Sequence, residues 1–310
     1  MKRIATLTVN PAIDKYTTVD RVRPDRKLRC ERPTREPGGG GLNVSRAVQR
    51  LGGEATALYM AGGPTGDILR DLLDAEGIPQ HVLPIAGWTR ENLIVNEEGS
   101  EQQYRFGMPG PEVSEEEKDR CLEALRELDP APDLLVASGS LSPGLPEDFL
   151  GQVAEVAAEI DARFIVDTSG EPLRHAVEAG AFLLKPNTSE LEDLAGKALE
   201  TEKAQEEAAR RFIEEGCCQV IVLSLGSGGA VMFTGERTEH IRAPTVPIRS
   251  KVGAGDSMVG GIVLGLARGM ELPDAVRFGV AAGAAAVMTE GTELCRREDT
   301  ERLFEEIRRG

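Results

Sequence analysis

Six short apolar runs, each closing on small or polar residues, recur along the chain with helix-patterned stretches between them. They are RIATLTV (3–9), ATALYMA (55–61), DLLVASG (133–139), RFIVDTS (163–169), FLLKPN (182–187) and QVIVLSLG (219–226). Helical spacing fills the gaps, as in GLNVSRAVQRL (41–51) and in TGDILRDLLDAEG (65–77), whose last glycine suits a helix end. This βαβα order predicts an α/β fold of three layers, a mostly parallel sheet with helices on both faces. In such sheets ligands sit beyond the carboxyl ends of the strands. Asp14, Ser140, Asp167, Lys185 and Ser224 all fall at or just past such ends.

Two segments break the pattern. Residues 12–36 alternate only weakly and carry Pro24 and Pro33, and residues 91–106 read as two strands around a Glu-Gly-Ser turn. Both are expected to form a small β layer over the site. With no linker, repeat or low-complexity tract, residues 1–310 read as one domain.

Composition narrows the partners. A net charge of −16 and an aromatic content of 4% argue against nucleic acid, which needs a cationic footprint and stacking platforms. A small phosphorylated ligand needs only a few local cations. Cys30, Cys121, Cys217, Cys218 and Cys295 contain no CxxC, so neither a disulfide framework nor a zinc site is indicated, and a reducing compartment is expected. His81, His175 and His240 lie far apart. The first residues read as a strand rather than a signal peptide, and no apolar run reaches the ~18 residues of a membrane span. A cytoplasmic protein without membrane contact is the expectation.

Three stretches bear chemistry. KVGAGDSMVGG (251–261) surrounds one aspartate with glycines at the mouth of an apolar segment. One reading is a turn capped by Asp256 and followed by a buried helix. The other is an anion cradle of backbone amides from Gly253, Ala254 and Gly255, with the Asp256 carboxylate placed to take a proton from an attacking hydroxyl. EPGGGGLNVSRA (36–47) removes four consecutive side chains, either for a flexible turn or for close approach of a ligand; Asn43 could cap the following helix or bind a polyol. KPNTSELE (185–192) has capping-box spacing at Asn187 and Glu190, and equally offers Lys185 to nucleotide phosphates and Glu190 to hydrated Mg²⁺. Lys27, Arg90 and Arg105, in or beside the β layer, are either solvated or a clamp for a phosphate dianion. No GxxxxGK[ST] occurs, so a nucleotide would be held by another architecture.

Together these stretches, with Asn10-Pro11, SGSLSPG (138–144), VDTSGE (166–171) and VLSLGSGGA (222–230), resemble the PfkB branch of the ribokinase-like sugar kinases over essentially the whole chain. The resemblance implies a ribokinase-like sandwich with a β-sheet lid, pairing of two lids in a homodimer, and ATP-dependent phosphorylation of a sugar phosphate. The expected acceptor is fructose 6-phosphate at its C1 hydroxyl. Relatives acting on fructose 1-phosphate or tagatose 6-phosphate tend to carry GKG where Gly39-Gly40-Gly41 stands here. A sugar-phosphate or nucleotide sensor without turnover is the non-enzyme alternative. By matching position, the resemblance implies that Asp14, Gly39, Asn43 and Ser140 hold the sugar, and that Lys27, Arg90 and Arg105 hold its phosphate. Lys185, Asn187, Ser224 and Gly226 would meet ATP, Glu190 Mg²⁺, and Asp256 the transferred proton. Ser250, Val252, Ala286, Thr289, Gly291 and Glu293 would hold K⁺. Lys251 stands where related sequences often have Thr.

Overall fold

Strands rich in β-branched and aliphatic residues, joined by helical crossovers, assemble into two sheets in the computed structural model, which describes residues 1–309 apart from Glu101, Glu290 and Thr292. Glu101, inside the expected lid segment, therefore lies outside the described residues. In chain order the strands are β1 (Ile4–Thr8), β2 (Ala12–Val19), β3 (Thr34–Gly38), β4 (Thr56–Ala61), β5 (Gln80–Pro84), β6 (Arg90–Glu97), β7 (Gln102–Phe106), β8 (Leu134–Ser138), β9 (Arg163–Asp167), β10 (Ala181–Leu184), β11 (Cys218–Ser224), β12 (Ala230–Thr234) and β13 (Thr238–Ile241). The helices are α1 (Gly40–Arg50), α2 (Gly63–Ala75), α3 (Glu115–Arg126), α4 (Phe149–Glu159), α5 (Glu171–Ala179), α6 (Thr188–Ala195), α7 (Glu202–Glu214), α8 (Ala254–Ala267), α9 (Leu272–Ala286) and α10 (Arg297–Arg309).

The large sheet has nine strands in the order β13-β12-β11-β10-β9-β8-β1-β4-β5. Its pairs are parallel except β11 with β12 and β12 with β13. Both faces are covered, so its strands are apolar on both sides. Leu134 and Val136 of β8 face α1, α8, α9 and α10, whereas Leu135 and Ala137 face α3 to α7. Gly and Ala let α8 and α9 approach closely: a Cβ on Gly261 would lie 2.8 Å from the Gly279 Cα.

β1 pairs with β4 on one side and β8 on the other, so the crossovers diverge there and leave a crevice beyond its carboxyl end. The second sheet, β3-β2-β6-β7, stands over that crevice. It is the expected small β layer, with two adjustments. Residues 20–33 form no strand, and β3 and β6 extend the segments to Gly38 and Arg90. Ile13, Leu42, Tyr59, Leu69 and Leu73 pack together and tie this sheet to the body. No helix among the described residues is long and apolar enough to cross a membrane.

Candidate active site

The chain turns at Gly253, whose φ of 72° lies in the left-handed region, and α8 begins one residue later. The first intrahelical bond runs from the Ser257 N–H to the Gly253 carbonyl at 2.8 Å. The amides of residues 253–256 thus have no acceptor within the helix, and no side chain caps them. This corrects the reading of Asp256 as a cap. Its carboxylate stands inside the first turn and accepts instead from Asn43 Nδ2 at 2.9 Å, across 213 residues of sequence. A Cβ on Gly255 would find only Lys185 Nζ among the described residues, at 3.7 Å, so the turn is open toward that ammonium group.

Burial raises the Asp256 carboxyl first, and the neighbouring Asp167 charge adds to it. The Asn43 hydrogen bond, Lys185 and Arg46 pull the other way, and the balance leaves it pushed up to about 6. Lys185 is itself buried and meets Asp167 Oδ1 at 3.0 Å. Burial alone would lower its pKa, but Asp167, Glu190 and Asp256 outweigh that and raise it, so a charged ammonium stands beside the turn.

Lys185 immediately follows β10. Asn187 and Glu190 form a full capping box on α6: Asn187 Oδ1 accepts from the Glu190 N–H at 3.0 Å and Glu190 Oε2 from the Asn187 N–H at 2.8 Å. The capping reading of KPNTSELE therefore holds, and one Glu190 carboxylate oxygen remains outside the box. Burial raises its pKa, against the Asn187 amide and Lys185. Asn187 bridges to Ser224, and Gly226 opens the tight turn that follows, so Asn187, Ser224 and Gly226 share one exposed shelf.

Across the crevice, a cleft of ≈ 200 Å³ is lined by Asp14, Asn92 and Arg105 of the small sheet and by Val252 of the turn. Asn92 Nδ2 donates to Asp14 Oδ1 at 2.8 Å. Burial raises the Asp14 pKa, and Asn92, Arg90, Arg46 and Arg105 oppose it. Among the described residues, four buried side-chain atoms lack partners: Thr8 Oγ1, Asn10 Oδ1, Glu36 Oε2 and Arg90 Nε. All belong to the end of β1 or the adjoining small sheet, and none of their residues lines the cleft. Ser140 joins this group as acceptor from Asn10 Nδ2 at 3.2 Å.

Three expected roles meet different surroundings. Arg90 spends its fork on the carbonyls of Met108 (3.0 Å) and Asn10 (2.9 Å), fastening β6 to the end of β1, so within one chain it does not pair with Arg105 as a free clamp. Lys27 is exposed in the β2–β3 loop and does not line the cleft. On the side where a Cβ would stand, the four glycines are closed by the protein itself. A Cβ at Gly38 would lie 2.6 Å from the Asp14 carboxylate, at Gly39 2.7 Å from Thr8 Cγ2 and at Gly41 2.5 Å from the Leu7 carbonyl, and at Gly40 it would strike Ser138 Oγ. They seat the start of α1 against β1 and β8.

Behind the turn, Ser250 Oγ donates to the Gly291 carbonyl at 2.8 Å, and Thr289 Oγ1 reaches the carbonyls of Ala286 at 2.8 Å and of Glu293. Val252 touches this group through its N–H on Ser250 Oγ. These contacts gather the oxygens of Ser250, Ala286, Gly291 and Glu293 behind the turn. Sequence reasoning missed Arg46 and Glu76. Arg46 is 2% exposed. Its Nε and Nη2 fork onto Glu76, and its Nη1 reaches the Pro37 carbonyl and Asn43 Oδ1. No cue marked them: a charged residue on an amphipathic helix such as α1 reads as solvated, although Gly41 to Val48 are all buried here.

The chain is similar to known proteins along almost its whole length. The family model described as pfkB family carbohydrate kinase matches residues 7–299. ATP-dependent 6-phosphofructokinase isozyme 2 of Mycobacterium tuberculosis is 46% identical over 98% of this chain and 89% of its own length. The protein of the same name from Escherichia coli is 43% identical over 98% of each. Phosphofructokinase-2 from E. coli in complex with potassium superposes with a TM-score of 0.95 at 42% identity, over 99% of this chain and 100% of that one. Its complex with fructose-6-phosphate gives 0.93 at 41% identity, and its tetrameric inhibited form 0.93 at 42%, both with the same coverage. Ribokinase of Arabidopsis thaliana shares the fold, with a TM-score of 0.79 at 18% identity over 98% of this chain and 99% of that one.

Proposed function

Because the chain belongs to the pfkB family of carbohydrate kinases, we propose that it transfers the γ-phosphoryl group of ATP to the C1 hydroxyl of fructose 6-phosphate, yielding fructose 1,6-bisphosphate and ADP. The observation that carries the proposal is the joint placement of the unpaired amides of residues 253–256, the Asp256 carboxylate and the Lys185 ammonium around one open turn. Asp256 takes the C1 proton as that oxygen attacks the γ-phosphorus, and the bond to the β–γ bridging oxygen breaks. The amides and Lys185 receive the charge that spreads over the transferring oxygens. Asp14 and Asn92, which line the cleft, hold the sugar hydroxyls, and Arg105 faces its phosphate.

The nucleotide lies along the shelf of Asn187, Ser224 and Gly226. Glu190, with one oxygen outside its capping box, fits outer-sphere contact with hydrated Mg²⁺, whose chemistry is charge neutralisation on the triphosphate. The oxygens of Ser250, Ala286, Gly291 and Glu293 fit K⁺, which would hold the turn from behind. Fructose 6-phosphate is favoured over the other two sugar phosphates because Gly39-Gly40-Gly41 stands where relatives acting on those tend to carry GKG, and because the relatives named 6-phosphofructokinase are 46% and 43% identical against 33% for a 1-phosphofructokinase. A cytoplasmic location and pairing of two copies through their small sheets complete the proposal.

Measuring kcat/KM for fructose 6-phosphate, fructose 1-phosphate and tagatose 6-phosphate, with and without K⁺, tests it. The first should be used best, and K⁺ should raise its turnover. Asp256→Asn should lose about 10²–10⁴ in kcat with ATP binding retained. Ligand binding by the wild type without ADP release would instead identify a sensor.

A further inference from the structure

The proposed base is not oriented by the substrate site alone. Asn43 Nδ2 donates to Asp256 Oδ2, and the Asn43 amide is in turn fixed from behind, because its Oδ1 accepts from Arg46 Nη1 at 3.2 Å. An amide has one accepting and one donating end, so a donor on Oδ1 determines which end meets the carboxylate. Arg46 is held against rotation from two further directions. Its Nε and Nη2 meet Glu76 Oε2 and Oε1 at 2.8 and 2.7 Å, and its Nη1 also donates to the Pro37 carbonyl of β3 at 3.1 Å. Glu76 sits at the C-terminal end of α2, remote in sequence from every motif of the site.

From this chain of contacts we infer that Arg46, anchored by Glu76, is a positioning residue for the Asp256 base, acting through the Asn43 amide. The inference rests on the proposed role of Asp256. With the Arg46 fork in place, Asn43 presents its N–H to one Asp256 oxygen and leaves the other to the acceptor hydroxyl. Without it, the amide is free to turn over and present its carbonyl oxygen, which an ionised carboxylate repels and a protonated one welcomes. The groups facing Asp256 are Asp167 at the end of β9, Lys185 after β10, and Asn43 and Arg46 on α1. Asp167 favours the protonated form, and the other three favour the ionised one.

Two single variants and one double variant test the inference, with kcat, KM and the acid limb of kcat/KM as readouts. Arg46→Gln removes a cation and frees the amide, so the acid limb should move to higher pH and kcat should fall about 10–100-fold, with both KM values within about threefold. Glu76→Gln leaves the guanidinium charge uncompensated, so its acid limb should stay or move to lower pH. General structural damage would move both limbs alike. The substrate phosphate, which also titrates near pH 6, is common to all variants and cancels. Arg46→Met with Glu76→Leu replaces the buried pair by apolar groups of similar volume, which such sites often accept without loss of stability. If that double variant regains the wild-type Tm and remains slow, positioning is supported. Recovery of kcat along with Tm would show a merely structural pair and overturn the inference, as would equal limb shifts in the two single variants. Should Asp256→Asn turn over normally, the base assignment itself fails, and that result is read separately.

Discussion

Asp256 is held where its charged form is disfavoured, and this has a measurable cost in stability. Its native pKa of about 6 lies above the ordinary 3.8, so the folded chain holds the proton more tightly than the unfolded chain does. Stability from this group is fully present below about pH 4 and is lost as pH rises through about 6. Asp256→Asn should therefore melt higher than wild type at pH 8, by roughly 1–3 kcal/mol, with the two curves meeting near pH 4. A constant difference at every pH would show that burial of the charge is not the cause. Residues at this scale were legible unevenly. Asp256, Lys185 and Asn187 could be read because each sits beside a turn whose geometry restricts what the side chain can do. Arg90 could not: a guanidinium fork suits a phosphate and a pair of backbone carbonyls equally well, and the sequence does not say which acceptor is near. Arg46 and Glu76 stayed hidden because a charged pair inside helices has the same composition as a solvated one.

At the scale of elements, α8 serves two ends with different demands. Its first turn keeps four amides unpaired, and its remaining length, from Ser257 to Ala267, is buried throughout. Contact with α9 at Gly261 and Gly279 fixes how far the helix can slide, and with it where those amides point. Gly261→Val would push Gly279, Ala282 and Phe278 apart, and overpacking of this kind costs about 1–3 kcal/mol. A lower urea midpoint with an unchanged m value is the expected outcome. Close packing of two helices was readable from the small residues of GGIVLGLARG (260–269) and GVAAGAAAVM (279–288), which let backbones approach. The purpose of GGGG was not, because a missing side chain does not reveal whether a ligand or the protein's own β1 and β8 fills the space.

Across the whole molecule, the large sheet is covered on both faces while the small one is not. Phe106 and Met108 are exposed large apolar residues at the end of β7 and just beyond it, and Trp88 lies just before β6. Pairing of two copies through this sheet would cover them, and the charged substitution Phe106→Asp should shift sedimentation toward the monomer and raise the KM for the sugar phosphate. The central parallel strands were legible because they are apolar in unbroken runs, whereas β12 (AVMFT) has the same composition but runs antiparallel, and the edge strand β13 (TEHI) is polar, so their direction shows only through hydrogen bonds. The bond between Asn43 and Asp256 joins segments 213 residues apart, one on α1 and one on α8. A ribosome extends the chain from the amino terminus, so a nascent or prematurely terminated product carries the sugar subsite long before it owns a base. On the proposed assignment such fragments lack the group that activates the acceptor, so truncated chains ending before Asp256 should release no ADP in a coupled assay.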